Sequence, residues 1–191
     1  MRIDVSEEQI RAAFELIADD PAFAESVRAM KNGRRPGEML QAFALRPELL
    51  QGFSAISAGH YPGGIVERDL KELVILEASR LNACQFCTGV HIAIARMMRI
   101  GDDPVALLDR PDRQTDRQRL ALEYTRAAMK DSNRVPDELF ERMKKHFTDG
   151  EIVEITFAIG FINCLNMFNN LLRVTYHGEY DDQLASRPDA R

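Results

Sequence analysis

The sequence predicts an all-α protein, and three observations support that prediction. Amphipathic runs with helical spacing fill most of the 191 residues. Helix-capping residues and Gly or Pro stops separate these runs, and no strand-like alternation or hairpin dipeptide interrupts them. The composition, 45% hydrophobic and 29% charged, is that of a globular chain long enough to bury a sizeable core.

Three helices are predicted for the N-terminal third, over about 6–17, 20–32 and 47–58. Ser6 and Gln9 have the spacing of a capping box at the start of the first helix. Asp20 is a typical N-cap for the second helix, and Gly59 is expected to close the third. The Gly- and Pro-rich segment 60–64 is interpreted as an ordinary exposed loop, with an active-site lid as the alternative.

The rest of the chain predicts five further helices, over about 67–81, 82–100, 113–130, 137–147 and 149–174. Asn82 and Asp149 are the expected N-caps of the second and the last of these. The last helix is the most apolar. Because Glu154 and several asparagines interrupt it, we expect no membrane span.

These elements predict one domain over 1–176, with an N-terminal part over 1–60 and a core over 65–176. The polar tail 177–191 is expected to be mobile or to pack on a neighbouring subunit. A net charge of −5 with scattered basic residues argues against nucleic-acid binding. The N-terminus lacks the apolar segment of a signal peptide, so a cytoplasmic location is expected.

The chemistry is concentrated in Cys84, Cys87 and His91, which share one face of a helix at positions i, i+3 and i+7. With Asn82 as N-cap, Cys84 falls in the first turn, where unpaired N–H groups and the helix dipole favour a thiolate. His91 follows Cys87 by four residues and can exchange a proton with it. This pattern predicts a redox-active thiol pair.

Which carboxylate lies beside the thiols and His91 remains open at this point. Glu72 can reach the thiols only if the chain folds back near 81–83, and Glu77, closer in sequence, competes for the role. Two other interpretations also stay open: an inert pair, and a zinc site completed by Glu72, Cys164 or water. Cys164 itself is expected to be a buried small hydrophobe.

The spacing Glu72, eleven residues, then Cys-x-x-Cys-x-x-x-His resembles the signature of the alkylhydroperoxidase D-like (carboxymuconolactone decarboxylase) superfamily. The segments 71–76, 81–84 and 135–154 are similar to that family as well, so the resemblance covers about 38–175. It implies a helical bundle with the CxxC motif at a helix N-terminus, assembled as dimers, trimers or hexamers. It also implies thiol-dependent reduction of hydroperoxides.

Carried onto this chain, the resemblance implies that Cys87 is the sulfur that reacts with peroxide, that Cys84 resolves the sulfenic acid, and that Glu72 and His91 relay the proton. The dipole argument alone favours Cys84, but the nearby base favours Cys87, which we assign as the attacking sulfur. The expected partners are a small hydroperoxide and an external thiol or dithiol reductant, with no metal or organic cofactor. The alternatives are a general thiol–disulfide oxidoreductase and a non-enzymatic helical oligomer whose cysteine pair is inert or binds a metal.

The sequence departs from the best-studied alkylhydroperoxidase branch at one point. That branch has a second histidine between the cysteines, whereas this chain has Gln85 and Phe86. The lactone decarboxylase branch does not depend on a dithiol, so the cysteine pair argues against that activity here.

The last helix also carries a polar stripe at three- and four-residue steps. We interpret the stripe as a solvated face, with a pocket lining or a subunit seam as the alternative. The remaining faces of this helix exceed what one small domain can cover, which predicts a homo-oligomer. The stripe consists of Asn163, Asn166, Asn170, Arg173 and His177.

Overall fold

A computed structural model describes residues 1–20, 23–61, 63–101, 103–178 and 180. Within these residues the chain forms ten α-helices and no β-strand, which confirms the all-α prediction. The helices are α1 (Glu7–Glu15), α2 (Ala24–Lys31), α3 (Glu38–Phe43), α4 (Pro47–His60), α5 (Arg68–Leu81), α6 (Gln85–Met97), α7 (Pro104–Leu108), α8 (Asp116–Lys130), α9 (Asp137–Lys144) and α10 (Asp149–Leu172).

Helix α5 lies at the centre of the bundle, packed against α6, α8 and α10. Every residue from Leu70 to Ser79 is buried, so this helix has no solvent face along most of its length. Three of its buried residues are ionisable: Lys71, Glu72 and Glu77. Because a buried charge is costly unless it is paired, each of these side chains requires a partner from another segment.

Helix α10 supplies the longest wall of the core. Its buried positions follow helical spacing and pass from isoleucines in the first half to Asn166 and Asn169 in the second. With 24 residues and a mean hydropathy of 1.4, α10 is long and apolar enough to cross a membrane by length and composition. A core helix of a compact protein meets the same criteria, and α10 packs against α5, α6, α8 and α9.

The first four helices form an apolar cluster that rests on the second half of α10. Ile10, Phe14 and Leu50 are among its buried residues. Phe43 of α3 stacks on Phe168 of α10 with ring centroids 4.6 Å apart, and this contact joins the N-terminal part to the central helices.

Several predicted helix ends are wrong. Helix α2 begins at Ala24, and Asp20 accepts a hydrogen bond from the Ser54 hydroxyl instead of capping it. Helix α4 continues through Gly59 to His60. Thr148, not Asp149, caps α10 through a capping box with Glu151. The short helices α3 and α7 were not predicted.

The beginning of the polar tail packs against its own chain. His177 Nε2 lies 3.0 Å from Glu38 Oε1, and the backbone N–H of Thr175 donates to Glu38 Oε2 at 2.8 Å. Burial alone would raise the pKa of Glu38, but these two hydrogen bonds and the charge of the N-terminal amine hold that pKa below its usual value. Residue 179 and residues 181–191 of the predicted tail lie outside the described part of the chain.

Candidate active site

A tight turn between α5 and α6 sets the position of the two cysteines. Asn82 is the C-cap of α5, and Ala83 then adopts a left-handed backbone conformation with φ +50°. The N–H of Cys84 donates back to the carbonyl of Ser79 at 3.0 Å, which closes the end of α5. The chain therefore reverses direction within three residues, and α6 packs back along α5.

Cys84 is the N-cap of α6, whereas the sequence predicted Asn82 in that role with Cys84 in the first turn. The N–H of Cys87 donates to Cys84 Sγ at 3.3 Å, so the sulfur occupies the place of a capping oxygen. The two cysteines form a disulfide with their Cα atoms 5.4 Å apart. Both are buried, and the predicted CxxC motif at a helix N-terminus is confirmed.

The reversal brings Glu72 of α5 beside His91 of α6. Glu72 Oε1 lies 2.7 Å from His91 Nδ1, and the carboxylate is completely buried while the imidazole is 13% exposed. An Nδ1–H that donates to the carboxylate leaves Nε2 as the basic nitrogen of the ring. His91 follows Cys87 by one turn of α6, so Glu72, His91, Cys84 and Cys87 together make up the candidate group.

Tyr61 is a further member of this group that the sequence did not single out. Its hydroxyl donates to Glu72 Oε2, and its ring lies 6.1 Å from the ring of His91. Burial and the neighbouring negative charge of Glu72 raise the pKa of Tyr61 far above its usual value, so the phenol stays protonated. His60 is also buried, so the interpretation of 60–64 as an ordinary exposed loop is wrong for both residues.

Glu77, the competing carboxylate, is occupied elsewhere. It is fully buried and accepts hydrogen bonds from Arg80 Nε at 2.9 Å and from Arg126 Nε at 2.5 Å. These two arginines neutralise the charge of the buried Glu77 carboxylate. The open choice between the two glutamates is settled in favour of Glu72 as the neighbour of His91.

Three members of the polar stripe of α10 contact the turn between α5 and α6. The interpretation of the stripe as a solvated face is wrong for Asn166, which is buried, whereas Asn163 is half-buried and Asn170 is exposed. Asn82 Nδ2 donates to Asn163 Oδ1 at 2.7 Å and to Asn166 Oδ1 at 2.9 Å. Asn170 Nδ2 donates to the carbonyl of Asn82 at 3.0 Å. These amides hold the segment that leads into Cys84.

Asn169 was outside the predicted stripe, yet it contacts the dithiol directly. Its Nδ2 lies 3.3 Å from Cys87 Sγ and 3.4 Å from the thioether sulfur of Met39. The signal in the sequence was its position: Asn169 continues the buried line of Ile155, Ile159 and Ile162 at helical spacing.

The surroundings of the two sulfurs are predominantly apolar. Phe86, Val90 and Ile94 of α6 pack with Ile162 of α10 in the same cluster. The ring of Tyr176 lies against the backbone of Gly89, where an added Cβ would meet the ring at 2.6 Å, so only glycine allows this approach.

Cys164 is exposed, which corrects the prediction that it is buried. It lines an open apolar groove of about 750 Å³ on α8, α9 and α10, together with Tyr124, Val153 and Phe157. Across the described ranges, no group of three or more His, Cys, Asp or Glu side chains is arranged to hold a metal ion.

The sequence profile of the carboxymuconolactone decarboxylase family matches residues 47–127. The uncharacterized protein YdfG of Bacillus subtilis is 30% identical over 105 residues, which are 53% of this chain and 71% of that protein.

Solved structures have the same fold. A protein of unknown function from Agrobacterium tumefaciens superposes with a TM-score of 0.64 at 29% identity over 71% of this chain and 94% of that one. A peroxidase-related protein of Ralstonia eutropha with an alkylhydroperoxidase AhpD core gives a TM-score of 0.73 at 23% identity, covering 94% of this chain and 93% of that one.

The family includes enzymes, as its name records, and the cysteine pair of this chain fits a peroxidase-related function. The family assignment rests on the profile match and on the relative in Bacillus subtilis, and the shared helical architecture is consistent with it. This chain belongs to the carboxymuconolactone decarboxylase family.

Proposed function

We propose that this protein is a thiol-dependent peroxidase that reduces organic hydroperoxides through Cys84 and Cys87. The observation that supports the proposal best is the buried Glu72–His91 pair, with 2.7 Å between Oε1 and Nδ1, beside a cysteine pair at a helix N-terminus. A thiolate nucleophile, a base and a second thiol are the groups that such a reaction needs.

The reaction proceeds in two steps. The Cys87 thiolate attacks the terminal oxygen of the hydroperoxide, so that an S–O bond forms, the O–O bond breaks and the alkoxide leaves as an alcohol after taking a proton. The Cys84 thiolate then attacks the sulfenic sulfur, so that the S–S bond forms, the S–O bond breaks and the departing hydroxide takes a proton to leave as water. Two electrons pass from the dithiol to the peroxide, and an external thiol or dithiol must return them.

Glu72 and His91 act as the proton relay of this cycle. The carboxylate holds Nδ1–H, so the imidazole can take the thiol proton of Cys87 and return it to the departing alkoxide. Tyr61 donates to the other carboxylate oxygen and keeps the carboxylate turned toward the histidine. The missing second histidine between the cysteines is thereby partly compensated by a tyrosine from the preceding segment.

The apolar surroundings of the sulfurs favour a hydroperoxide with an apolar substituent over hydrogen peroxide.

We place the protein in the cytoplasm, because a dithiol catalyst needs a reducing compartment to be returned to its thiol form.

The first test is a thiol titration of the reduced protein before and after one equivalent of tert-butyl hydroperoxide. We expect rapid loss of two of the three thiols, and mass analysis should find Cys84 joined to Cys87 while Cys164 remains free. Hydrogen peroxide should react more slowly. Survival of all three thiols would overturn the proposal.

The same reaction followed by stopped flow tests the relay. Glu72→Gln keeps the size of the side chain but removes its charge, and we expect oxidation to slow by about 10²-fold near neutral pH, as for loss of a general base. Glu77→Gln is the matched control, since Glu77 is equally buried but pairs with Arg80 and Arg126. Equal rates for the two variants would contradict the relay.

We also propose that the chain forms a homo-oligomer through the outer face of α10. Val153, Phe157, Met167 and Leu171 are exposed there, and together with the adjoining groove they form an apolar surface of the kind found at subunit interfaces.

Light scattering after size exclusion tests the assembly. Val153→Glu places a charge in the middle of the apolar face, and we expect the assembly to dissociate by at least one step, toward a dimer or monomer. Leu16→Glu is the control, because Leu16 is similarly exposed but lies at the end of α1. A monomeric wild type, or identical masses for wild type and both variants, would contradict the proposed interface.

A further inference from the structure

Of the two polar atoms in the side-chain amide of Asn169, only the nitrogen has a hydrogen-bond partner among the described residues. The residue is 1% exposed, and its Nδ2 lies 3.3 Å from Cys87 Sγ. Its Oδ1 is buried and has no hydrogen-bond partner among the described residues. The orphaned oxygen belongs to the same planar amide as the nitrogen that contacts the sulfur.

The orientation of this amide follows from its neighbours. A thioether and a disulfide sulfur carry no proton and can only accept, so the –NH₂ group is the part of Asn169 that faces Met39 and Cys87. The free atom is therefore an acceptor. A buried carbonyl oxygen without a donor is rare, because it has lost its hydration without replacement.

Asn166 provides a comparison one turn earlier on the same helix. It is equally buried, but its Oδ1 accepts from Asn82 and its Nδ2 donates to Ser79 Oγ at 3.2 Å. That asparagine is fully used in holding the fold. The unused acceptor of Asn169 indicates a donor that arrives with the substrate.

We propose that Asn169 is a catalytic residue of the dithiol, binding the sulfur through its N–H and the reacting hydroxyl through its free Oδ1. The N–H donates to the Cys87 thiolate before the reaction. The free oxygen accepts from the O–H of the incoming hydroperoxide, which turns the terminal oxygen toward the sulfur. After O–O cleavage the same acceptor holds the hydroxyl of the Cys87 sulfenic acid until Cys84 attacks. This assignment of Asn169 rests on the proposed peroxidase function.

The experiment separates the two roles of the amide. In a background of Cys84→Ser and Cys164→Ser, the pH dependence of alkylation by iodoacetamide reports the pKa of the Cys87 thiol without any peroxide. We expect Asn169→Leu to raise that pKa by about one unit, as for loss of a hydrogen bond to an ionised group.

Oxidation by tert-butyl hydroperoxide is then measured at a pH where Cys87 is fully ionised in every variant. There the donor role no longer matters, and we expect Asn169→Leu to remain slower by about tenfold because the acceptor is missing. Asn163→Leu is the matched control, since it removes one amide from the same helix while Asn82 keeps its bond to Asn166.

Asn169→Asp, paired with Asn163→Asp, provides a second pair that keeps the side-chain size if the leucine variant fails to fold. The aspartate should raise the thiol pKa further through its negative charge. The assignment would be overturned if, in both pairs, the thiol pKa equals that of the control and the high-pH rate lies within twofold of the control rate. A wild type that never reacts with peroxide would overturn the proposed function and the acceptor role, while the alkylation profile would still decide the donor role.

Discussion

Replacing Cys87 by serine is expected to abolish peroxide consumption, with a loss on the order of 10³-fold or more, as when the nucleophile of a covalent mechanism is removed. Cys87 lies in the first turn of α6, contacts the amide of Asn169 and precedes His91 by four residues. Cys84 is the N-cap, and its sulfur already accepts from the N–H of Cys87. A serine hydroxyl at position 87 would not ionise near neutral pH and could not attack the O–O bond.

The counterpart variant Cys84→Ser distinguishes the role of the resolving sulfur from that of the attacking sulfur. Without a resolving thiol, the protein should consume about one equivalent of peroxide and stop at the Cys87 sulfenic acid, which dimedone can trap for mass analysis. Cys164→Ser is the control, because the exposed Cys164 lies in the groove of α10 and should leave turnover unchanged. If Cys87→Ser keeps the single turnover and Cys84→Ser loses it, the helix-end argument is right and the two roles must be exchanged.

The all-α fold and the motif could be predicted because both depend on local spacing. The capping box of Ser6 and the helix over 68–81 follow from neighbouring residues alone. The short helices α3 and α7 were missed because six and five residues give too little periodicity to recognise.

Spacing alone could not choose the carboxylate, because the choice depends on a single backbone conformation; only the family resemblance indicated Glu72. Ala83 takes a left-handed conformation that only a few non-glycine residues adopt. That turn directs α6 back along α5, which brings His91 to Glu72 and leaves Glu77 to the arginines. Spacing along the chain contains no information about this reversal.

Cys164 was predicted wrongly, and Asn169 was not singled out, for the same physical reason. On an ordinary helix the apolar side faces the core, so a cysteine among phenylalanines and leucines is expected to be buried. Helix α10 is apolar on its outer face as well, with Val153 and Phe157 exposed. Its buried line instead ends in amides, because the dithiol and the turn before it need polar partners.

The largest stability effect is expected from Glu154, the partner of the buried Lys71. The ammonium of Lys71 is 1% exposed and lies 2.6 Å from Glu154 Oε1. It also donates to the carbonyls of His60 and Gly63. The second oxygen of Glu154 accepts from the N–H of Ile65 at 2.6 Å.

This ion pair therefore holds His60, Gly63 and Ile65 between the end of α4 and the start of α5. The segment contains Tyr61, whose hydroxyl donates to Glu72. Gly64, with φ +95°, leaves space for the carboxylate that a side chain would occupy. Loss of the pair should thus reach the dithiol site through Tyr61 as well as lower the stability of the fold.

Glu154→Gln is expected to lower the free energy of unfolding by about 3 kcal/mol, because it leaves the Lys71 charge buried without a counter-ion. Chemical denaturation measures the change, with Glu123→Gln as the matched control. Glu123 makes an ion pair with Arg142 in which both side chains are nearly half exposed, so its loss should lower the free energy of unfolding by less than about 1 kcal/mol. Equal effects for the two variants would contradict the role of the buried pair.

The pH dependence of this difference has a definite sign. Burial would raise the pKa of Glu154, but the hydrogen bonds from Lys71 and from the N–H of Ile65 outweigh it and hold the pKa below the ordinary value of 4.5. The folded state therefore binds the proton less tightly than the unfolded state, so the stabilisation is complete above pH 4.5 and fades as the pH falls through the folded pKa. Wild type and Glu154→Gln should differ most near neutral pH and converge in acid, whereas a purely steric effect of the amide would keep their difference constant.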